Sequence, residues 1–214
     1  MITTIYLVKH ADELKENGIT NTNDTTQLMN EKYILSVKGE EQSRKLSENP
    51  ELENIDVLWC SSYARAKATA KYIAYRNNIE INIDSSLNER KLGDLEDLSK
   101  WMKNKTVGVV QAYLQDKKWK AREGESCEEA IERVTLFLQK ILNQNIGKRI
   151  VFVSHGALIS FLLTNWCDLN KEMKLLFNNK VIEIKEPSIT KITFDNEKLI
   201  NIESIELYVK ENIT

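Results

Sequence analysis

The sequence contains few cysteines, little net charge and no long apolar run. Its three cysteines, Cys60, Cys127 and Cys167, form no CxxC pair, which argues against a disulfide framework and favours a reducing compartment. The formal net charge of -2 creates no overall field that would attract nucleic acid or an anionic membrane. We therefore expect neither of these as a partner.

Segments that direct a chain into a membrane are missing as well. The N-terminus has no basic region and its apolar run is interrupted at Lys9, so we expect no signal peptide. The most apolar stretch, residues 157–166, is too short to span a bilayer. Together with the cysteine pattern, these features predict a cytoplasmic protein.

The chain nevertheless has enough apolar residues to bury a substantial core. Of its 214 residues, 42% are hydrophobic and 29% are charged, which is typical of an ordinary globular protein. No repeat, low-complexity segment or linker divides the sequence. We therefore predict a single domain over residues 1–214.

The alternation of apolar runs with amphipathic segments predicts an α/β fold. The predicted strands lie at 4–8, 56–60, near 79–83, 149–154, and near 181–185, 189–194 and 200–208. The predicted helices cover about 36–48, 61–74 with Ser61 or Ser62 as the cap, 99–119, a segment starting at the Ser126–Glu129 capping box, and 157–167, while 11–33 is predicted to be a long loop. Strands alternating with helices predict a mostly parallel central sheet with helices on both faces.

Only two histidines occur, and both directly follow a predicted strand. His10 ends the apolar part of "TIYLVKHADE", and His155 ends "RIVFVSH", just before Gly156. Ligands of open α/β sheets bind beyond the carboxyl ends of the strands. We therefore expect both imidazoles in one crevice, if their strands are neighbours.

Positively charged groups are predicted at the same edge of the sheet. Lys9 precedes His10, and Arg65 lies in the helix that follows the "DVLWC" strand, with the Ser61-Ser62 turn at its start. Backbone N–H groups at a helix N-terminus, together with Arg and Lys, bind phosphate groups well. The set therefore predicts a phosphate-binding site.

Two other interpretations of the histidines have to be weighed. A single histidine at a strand end is often structural, but both histidines of the chain share this position and have polar neighbours. A two-histidine metal site would need a third ligand, which Asp12 or Glu89 could supply, yet no HxH or HExxH spacing is present.

Several blocks in order along the chain resemble the histidine phosphatase superfamily, which has the phosphoglycerate mutase-like fold. They are "LVKHADE", "YILSVKGEEQS", "SSYARAKATA", "LNERKLGDLED", "GESCEEAIERV", "VSHGALISFLL" and the tail "PSITKITFDNEKLINIESIEL". The resemblance implies phosphoryl transfer without a metal or another cofactor. It implies that His10 is the nucleophile, that Glu89 is the general acid and base, and that four residues surround the phosphate: Lys9, Arg65, His155 and Gly156.

The first block departs from the Arg-His-Gly of the family, because Lys9 and Ala11 flank His10. Lysine keeps the charge but lacks the planar two-pronged donor of arginine. Alanine costs nothing if its φ is negative, and is costly if glycine's freedom is needed. These departures allow a slow enzyme, one with an altered substrate, or a non-catalytic relative that binds a phosphorylated ligand.

The region after Glu89 bears on the type of reaction. "LNER" resembles a phosphoglycerate mutase, but residues 99–125 contain Arg122 without the arginine cluster of the mutases. This favours a phosphomonoesterase acting on a small phosphorylated metabolite, with a mutase as the second candidate. Specificity is expected to depend on residues 11–33 and 91–122.

Overall fold

The computed structural model describes residues 1–14 and 26–207. The strands in these ranges are β1 (Ile2–Lys9), β2 (Val57–Cys60), β3 (Ile81–Ile83), β4 (Arg149–Ser154), β5 (Asp168–Leu169), β6 (Leu175–Phe177), β7 (Lys180–Ile182), β8 (Ser188–Asp195) and β9 (Lys198–Ile205). The α-helices are α1 (Thr26–Lys32), α2 (Val37–Ser47), α3 (Ala64–Asn77), α4 (Leu95–Met102), α5 (Val109–Gln115), α6 (Cys127–Gln144) and α7 (Gly156–Leu163).

Six strands form the central sheet, in the order β3-β2-β4-β1-β8-β9. The first four are parallel to one another, whereas β8 and β9 run antiparallel at one edge. A separate small antiparallel sheet consists of β5, β6 and β7. The predicted mostly parallel sheet is confirmed.

The sheet has an apolar core on each face, because successive strand residues point to opposite sides. In β1, Ile5 and Leu7 pack in the cluster that contains α6 and α7. Tyr6 and Val8 pack in a second cluster that contains α3. Helices therefore cover both faces, as predicted, and all of these strand residues are buried.

The starts of two helices illustrate what local signals do and do not specify. Helix α6 begins with the predicted capping box between Ser126 and Glu129, in which both reciprocal hydrogen bonds form. The predicted cap of α3 is wrong, since Tyr63 occupies that position and makes no side-chain capping bond. The Ser61 hydroxyl instead accepts a hydrogen bond from the Tyr63 N–H.

Other predicted boundaries also differ. The predicted loop 11–33 contains α1, and its residues 15–25 lie outside the described ranges. The predicted helix 99–119 is wrong, because two short helices, α4 and α5, occupy this region. The strands β5 and β6 were not predicted, because two or three residues carry too little periodicity to recognise.

No helix in the described part of the chain is long and apolar enough to cross a bilayer. The division of the chain into one domain over residues 1–214 stays a prediction.

Candidate active site

The two histidines meet because their strands are neighbours. β1 pairs in parallel with β4, in a register that places Lys9 opposite Ser154. The residue directly after each strand is a histidine, and the ring centroids of His10 and His155 lie 5.0 Å apart. The juxtaposition predicted from the two strand ends is therefore present in the fold.

The hydrogen bonds of His10 define its tautomer. Its Nδ1 lies 2.8 Å from the carbonyl oxygen of Ala11, so Nδ1 carries the proton and donates. Its Nε2 accepts from Nε of Arg65 at 3.1 Å and is therefore unprotonated. Burial, helped by the charges of Arg65 and Lys9, lowers the pKa of His10 to about 3. The ring is thus a neutral imidazole near pH 7, and the electron pair of its Nε2 accepts the hydrogen bond from Arg65.

His155 lies one layer behind His10 and is completely buried. Its Nδ1 accepts from Nη2 of Arg65 at 3.1 Å, and its Nε2 lies 2.8 Å from the Ser61 hydroxyl. That hydroxyl donates to the side-chain oxygen of Asn88, so Nε2 of His155 is the donor. Burial and the neighbouring His10 and Arg65 lower the pKa of His155 well below its usual value.

Arg65 connects the two histidines, and only 3% of it is exposed. Its Nε also contacts Oε2 of Glu13 at 3.0 Å. The guanidinium donates two further hydrogen bonds to Asn30, one to the backbone carbonyl and one to the side-chain oxygen. The Arg65 guanidinium, which is expected to bind phosphate, therefore contacts Glu13 and Asn30 of the protein itself.

Backbone groups hold the carboxylate of Glu89 beside this cluster. Its Oε1 accepts from the N–H groups of Arg90 and Leu158, at 3.0 and 3.1 Å, and its Oε2 accepts from that of Ala157 at 3.2 Å. The N–H groups of residues 157 and 158 belong to the first turn of α7, whose positive end favours a carboxylate. The N-terminal end of a helix is therefore near the cavity, but it is that of α7.

The prediction of an anion site at the Ser61-Ser62 turn is wrong. The backbone N–H of Ser62 donates to Asn88 and that of Tyr63 donates to the Ser61 hydroxyl, so both donors are already used. Neither serine lines the cavity in front of His10. The turn instead positions His155 through the Ser61 hydroxyl.

The two unusual residues beside His10 have clear environments. Ala11 is not among the residues with positive φ, so glycine's freedom is not needed there. Nζ of Lys9 lies 3.1 Å from Oε2 of Glu186. A Cβ on Gly156 would lie 3.2 Å from Cε of Lys9, so the glycine leaves room for the lysine chain.

A cavity of about 620 Å³ opens in front of His10. Five of the predicted site residues line it, namely Lys9, His10, Arg65, Glu89 and Gly156. His155 does not, because Arg65 and His10 separate it from the open space. Direct contact between His155 and a phosphate stays a prediction. It requires that the Arg65 guanidinium move away from Nδ1 of His155.

Three further residues of this site were not predicted: Glu13, Asn30 and Glu186. Glu13 had a visible signal, because it is one of the two acids directly after His10 in the unusual first block. Asn30 and Glu186 had none, since neither lies in a recognisable motif. Within the described ranges, no three His, Cys, Asp or Glu side chains are placed to hold a metal ion.

Comparison with known proteins shows the family. The model of the histidine phosphatase superfamily (branch 1) matches residues 5–204. The chain belongs to the histidine phosphatase superfamily. The resemblance seen in the sequence blocks is thereby confirmed over nearly the whole chain.

Similar proteins of this superfamily carry names of two reaction types. A probable phosphoglycerate mutase GpmB of Citrobacter koseri is 27% identical over 171 residues, which cover 75% of this chain and 73% of that protein. A mycobacterial glucosyl-3-phosphoglycerate phosphatase has a TM-score of 0.67 at 18% identity and covers 95% of this chain and 97% of its own. A phosphoglycerate mutase from Bacillus anthracis has a TM-score of 0.65 at 19% identity, with coverage of 95% and 92%. The two structures show the shared fold.

The carboxylate of Glu13 competes with any phosphate for Arg65, which leads to a direct prediction. Glu13→Gln removes the charge that the ligand must displace, so we expect inorganic phosphate to bind about tenfold more tightly. Isothermal titration calorimetry measures this change. Glu41→Gln is the matched control, because Glu41 pairs with Arg44 on the exposed face of α2. Unchanged or weaker phosphate binding by Glu13→Gln would contradict the competition.

Proposed function

We propose that this protein is a metal-independent phosphomonoesterase that acts on a small phosphorylated metabolite through a phosphohistidine intermediate. The observation that carries the proposal is the state of His10. It is a neutral imidazole whose unprotonated Nε2 lies beside the Arg65 guanidinium in an open cavity. A neutral imidazole near a cation is suited to attack a phosphate dianion, because the cation offsets the approaching negative charge.

In the first half-reaction, Nε2 of His10 forms a bond to phosphorus as the bond to the ester oxygen breaks. Arg65 and Lys9 neutralise the phosphoryl oxygens, which requires that they leave Glu13 and Glu186 and that Nε of Arg65 release Nε2 of His10. Glu89 gives a proton to the departing alcohol oxygen, which requires that its carboxyl group first take up that proton against the three N–H donors that favour the carboxylate. The products of this step are the free alcohol and the phosphorylated histidine.

In the second half-reaction, the now ionised Glu89 takes a proton from a water molecule that attacks phosphorus. The bond between phosphorus and Nε2 breaks, inorganic phosphate leaves, and His10 regains its electron pair. The hydrogen bond from Nδ1 to the Ala11 carbonyl keeps the ring in one orientation throughout. Because that bond fixes the tautomer, the same nitrogen is available in every cycle.

The placement of two arginines supports a phosphatase over a mutase. The guanidinium of Arg90 is buried 3.8 Å from the ring centroid of Tyr113 and does not line the cavity. Arg122 is 70% exposed, pairs with Asp94 and also lies outside the cavity. Neither side chain is therefore available to hold the second anionic group of a phosphoglycerate.

Phosphoglycerate mutase activity is the second candidate, because the mutase-named relative and the "LNER" block favour it. One experiment separates the candidates: incubation with 3-phosphoglycerate and a panel of phosphomonoesters in excess EDTA. Release of inorganic phosphate with the free alcohol is the expected result. Isomerisation of 3-phosphoglycerate without net phosphate release identifies a mutase. Phosphate binding without either reaction identifies a non-catalytic relative and contradicts the proposal.

A further inference from the structure

One part of the cavity lining is an apolar wall, which lies beside polar lining residues such as Gln111, Glu183 and Lys185. It is formed by residues of α5, of the small sheet and of the segment after β7: Val109, Val110, Leu114, Leu175, Ile182 and Ile184. Leu114, Leu175 and Ile182 are almost completely buried, so packing in the core holds these side chains in place. A group attached to a phosphate on His10 would therefore extend onto apolar side chains. The segment 173–186 contributes much of this wall, although specificity was expected only from residues 11–33 and 91–122.

The charges around the cavity are already paired within the protein. Among the described residues, four cations line it, and each has a carboxylate partner: Lys9 with Glu186, Arg65 with Glu13, Lys174 with Glu172, and Lys185 with Glu183. A phosphate can displace the partners of Lys9 and Arg65, which lie beside His10. Lys174 and Lys185 are 58% and 75% exposed, so water screens their charges and they offer only a weak contact to a second anionic group.

The geometry points to a substrate class: phosphomonoesters of apolar alcohols that carry no second negative charge. This inference rests on the proposed phosphatase function and deepens it. The apolar wall holds the alkyl or aryl part of the ester by burial, and a cavity of about 620 Å³ is of the size that accepts small organic ligands. A carboxylate at the far end of the ester would lose hydration against the apolar wall and gain only a screened contact with an exposed lysine.

A series of n-alkyl phosphates from ethyl to octyl tests the class directly. Simple primary alcohols are leaving groups of similar basicity, so the chemical step stays nearly constant along the series. Each methylene that becomes buried should raise kcat/KM by roughly threefold, until the chain outgrows the cavity. Matched esters that end in a carboxylate in place of the terminal methyl should be at least about tenfold poorer substrates.

A substitution in the apolar wall tests whether this wall contacts the alkyl chain of the substrate. Val109→Asp places a charge in the apolar wall at a residue that is 39% exposed and tolerates a polar group. It should reduce the ratio of kcat/KM for octyl over ethyl phosphate by about tenfold. Val181→Asp, at a lining residue of β7 that is 44% exposed, provides a second variant if the first is unstable. Leu136→Asp is the control, because Leu136 lies on α6 outside the cavity lining, is 60% exposed and should keep the wild-type ratio.

Binding measurements distinguish failure of this inference from failure of the proposed function. Alkylphosphonates are not hydrolysed, so calorimetry of methyl-, butyl- and hexylphosphonate reports on the wall alone. Affinity that rises with chain length supports the inference even if no ester is turned over, a result that would contradict only the phosphatase activity. Flat affinity along the phosphonates, or equal use of the carboxylate-ended esters, overturns the inference even if phosphatase activity is present.

Discussion

His10→Ala is expected to abolish turnover, with kcat/KM at least about 10⁴-fold below wild type. In the proposed mechanism this side chain supplies the bond to phosphorus, and among the described residues that line the cavity no other side chain is an imidazole. The fold should persist, because the ring's hydrogen bonds reach only Ala11 and Arg65. Arg65 keeps Glu13, Asn30 and His155 as partners.

The same variant identifies the intermediate. Wild-type protein mixed rapidly with a phosphomonoester and quenched in base should carry phosphate on His10, as mapped by mass spectrometry. His10→Ala should carry none, and a thermal unfolding midpoint close to wild type excludes misfolding as the cause. His10→Asn, which keeps a polar group in this buried position, is the second variant. Retained turnover, or label on another residue, would eliminate His10 as the nucleophile.

Arg65→Met is expected to have the second-largest effect, a fall in kcat/KM of about 10²- to 10⁴-fold. Charge-assisted hydrogen bonds contribute roughly 1.5–3 kcal/mol each, and the fork can give a phosphate two of them. Arg44→Met is the matched control, since Arg44 pairs with Glu41 and Glu48 on the surface. Activity within a few fold of wild type in Arg65→Met would show that Arg65 does not bind the phosphate.

The same substitution should also shift the titration of His10, and the sign follows from the charges. Burial lowers the pKa of His10 most, and the positive charge of Arg65 lowers it further, to about 3. Removing that charge makes the imidazolium less unfavourable, so the pKa of His10 rises toward its ordinary value. The acid limb of the kcat/KM profile should then move to higher pH, because the nucleophile is protonated earlier as pH falls.

Proton NMR titration of His10 measures the shift independently of activity. Arg65→Lys separates the two effects, because it keeps the charge but loses the planar fork. We expect a low His10 pKa together with reduced activity in this variant. If the pKa of His10 is the same in Arg65→Met and in wild type, the charge of Arg65 does not control this histidine.

Local sequence signals were sufficient for the frame of the fold and for the strand-end residues of the site. The apolar run 149–154 coincides with β4, and the Ser126–Glu129 box marks the start of α6. His10 and His155 could be predicted as neighbours because a polar residue directly after a buried strand must emerge at the edge of the sheet. These features depend on side-chain periodicity and on hydrogen bonds between residues close in the chain.

The ion pairs of the site were decided only by the tertiary structure. Glu186 meets Lys9, and Glu13 meets Arg65, from parts of the chain that no motif connects. Arg90 belongs to one of the blocks that resemble the family, yet its guanidinium packs against Tyr113 and does not line the cavity. Where a long charged side chain points depends on which partners packing brings within reach, and local propensity carries no information about that.

The apolar wall was decided in the same way. Val109 lies in a short helix with little periodicity, and Ile182 lies in a strand of only three residues. Each is an ordinary apolar residue in the sequence, and only the packing of α5 and the small sheet around His10 makes them one surface. The sequence by itself therefore determined the family, the sheet and the position of His10 at the sheet edge, whereas the tertiary structure decided which charged side chains are already paired and which side chains line the cavity beside them.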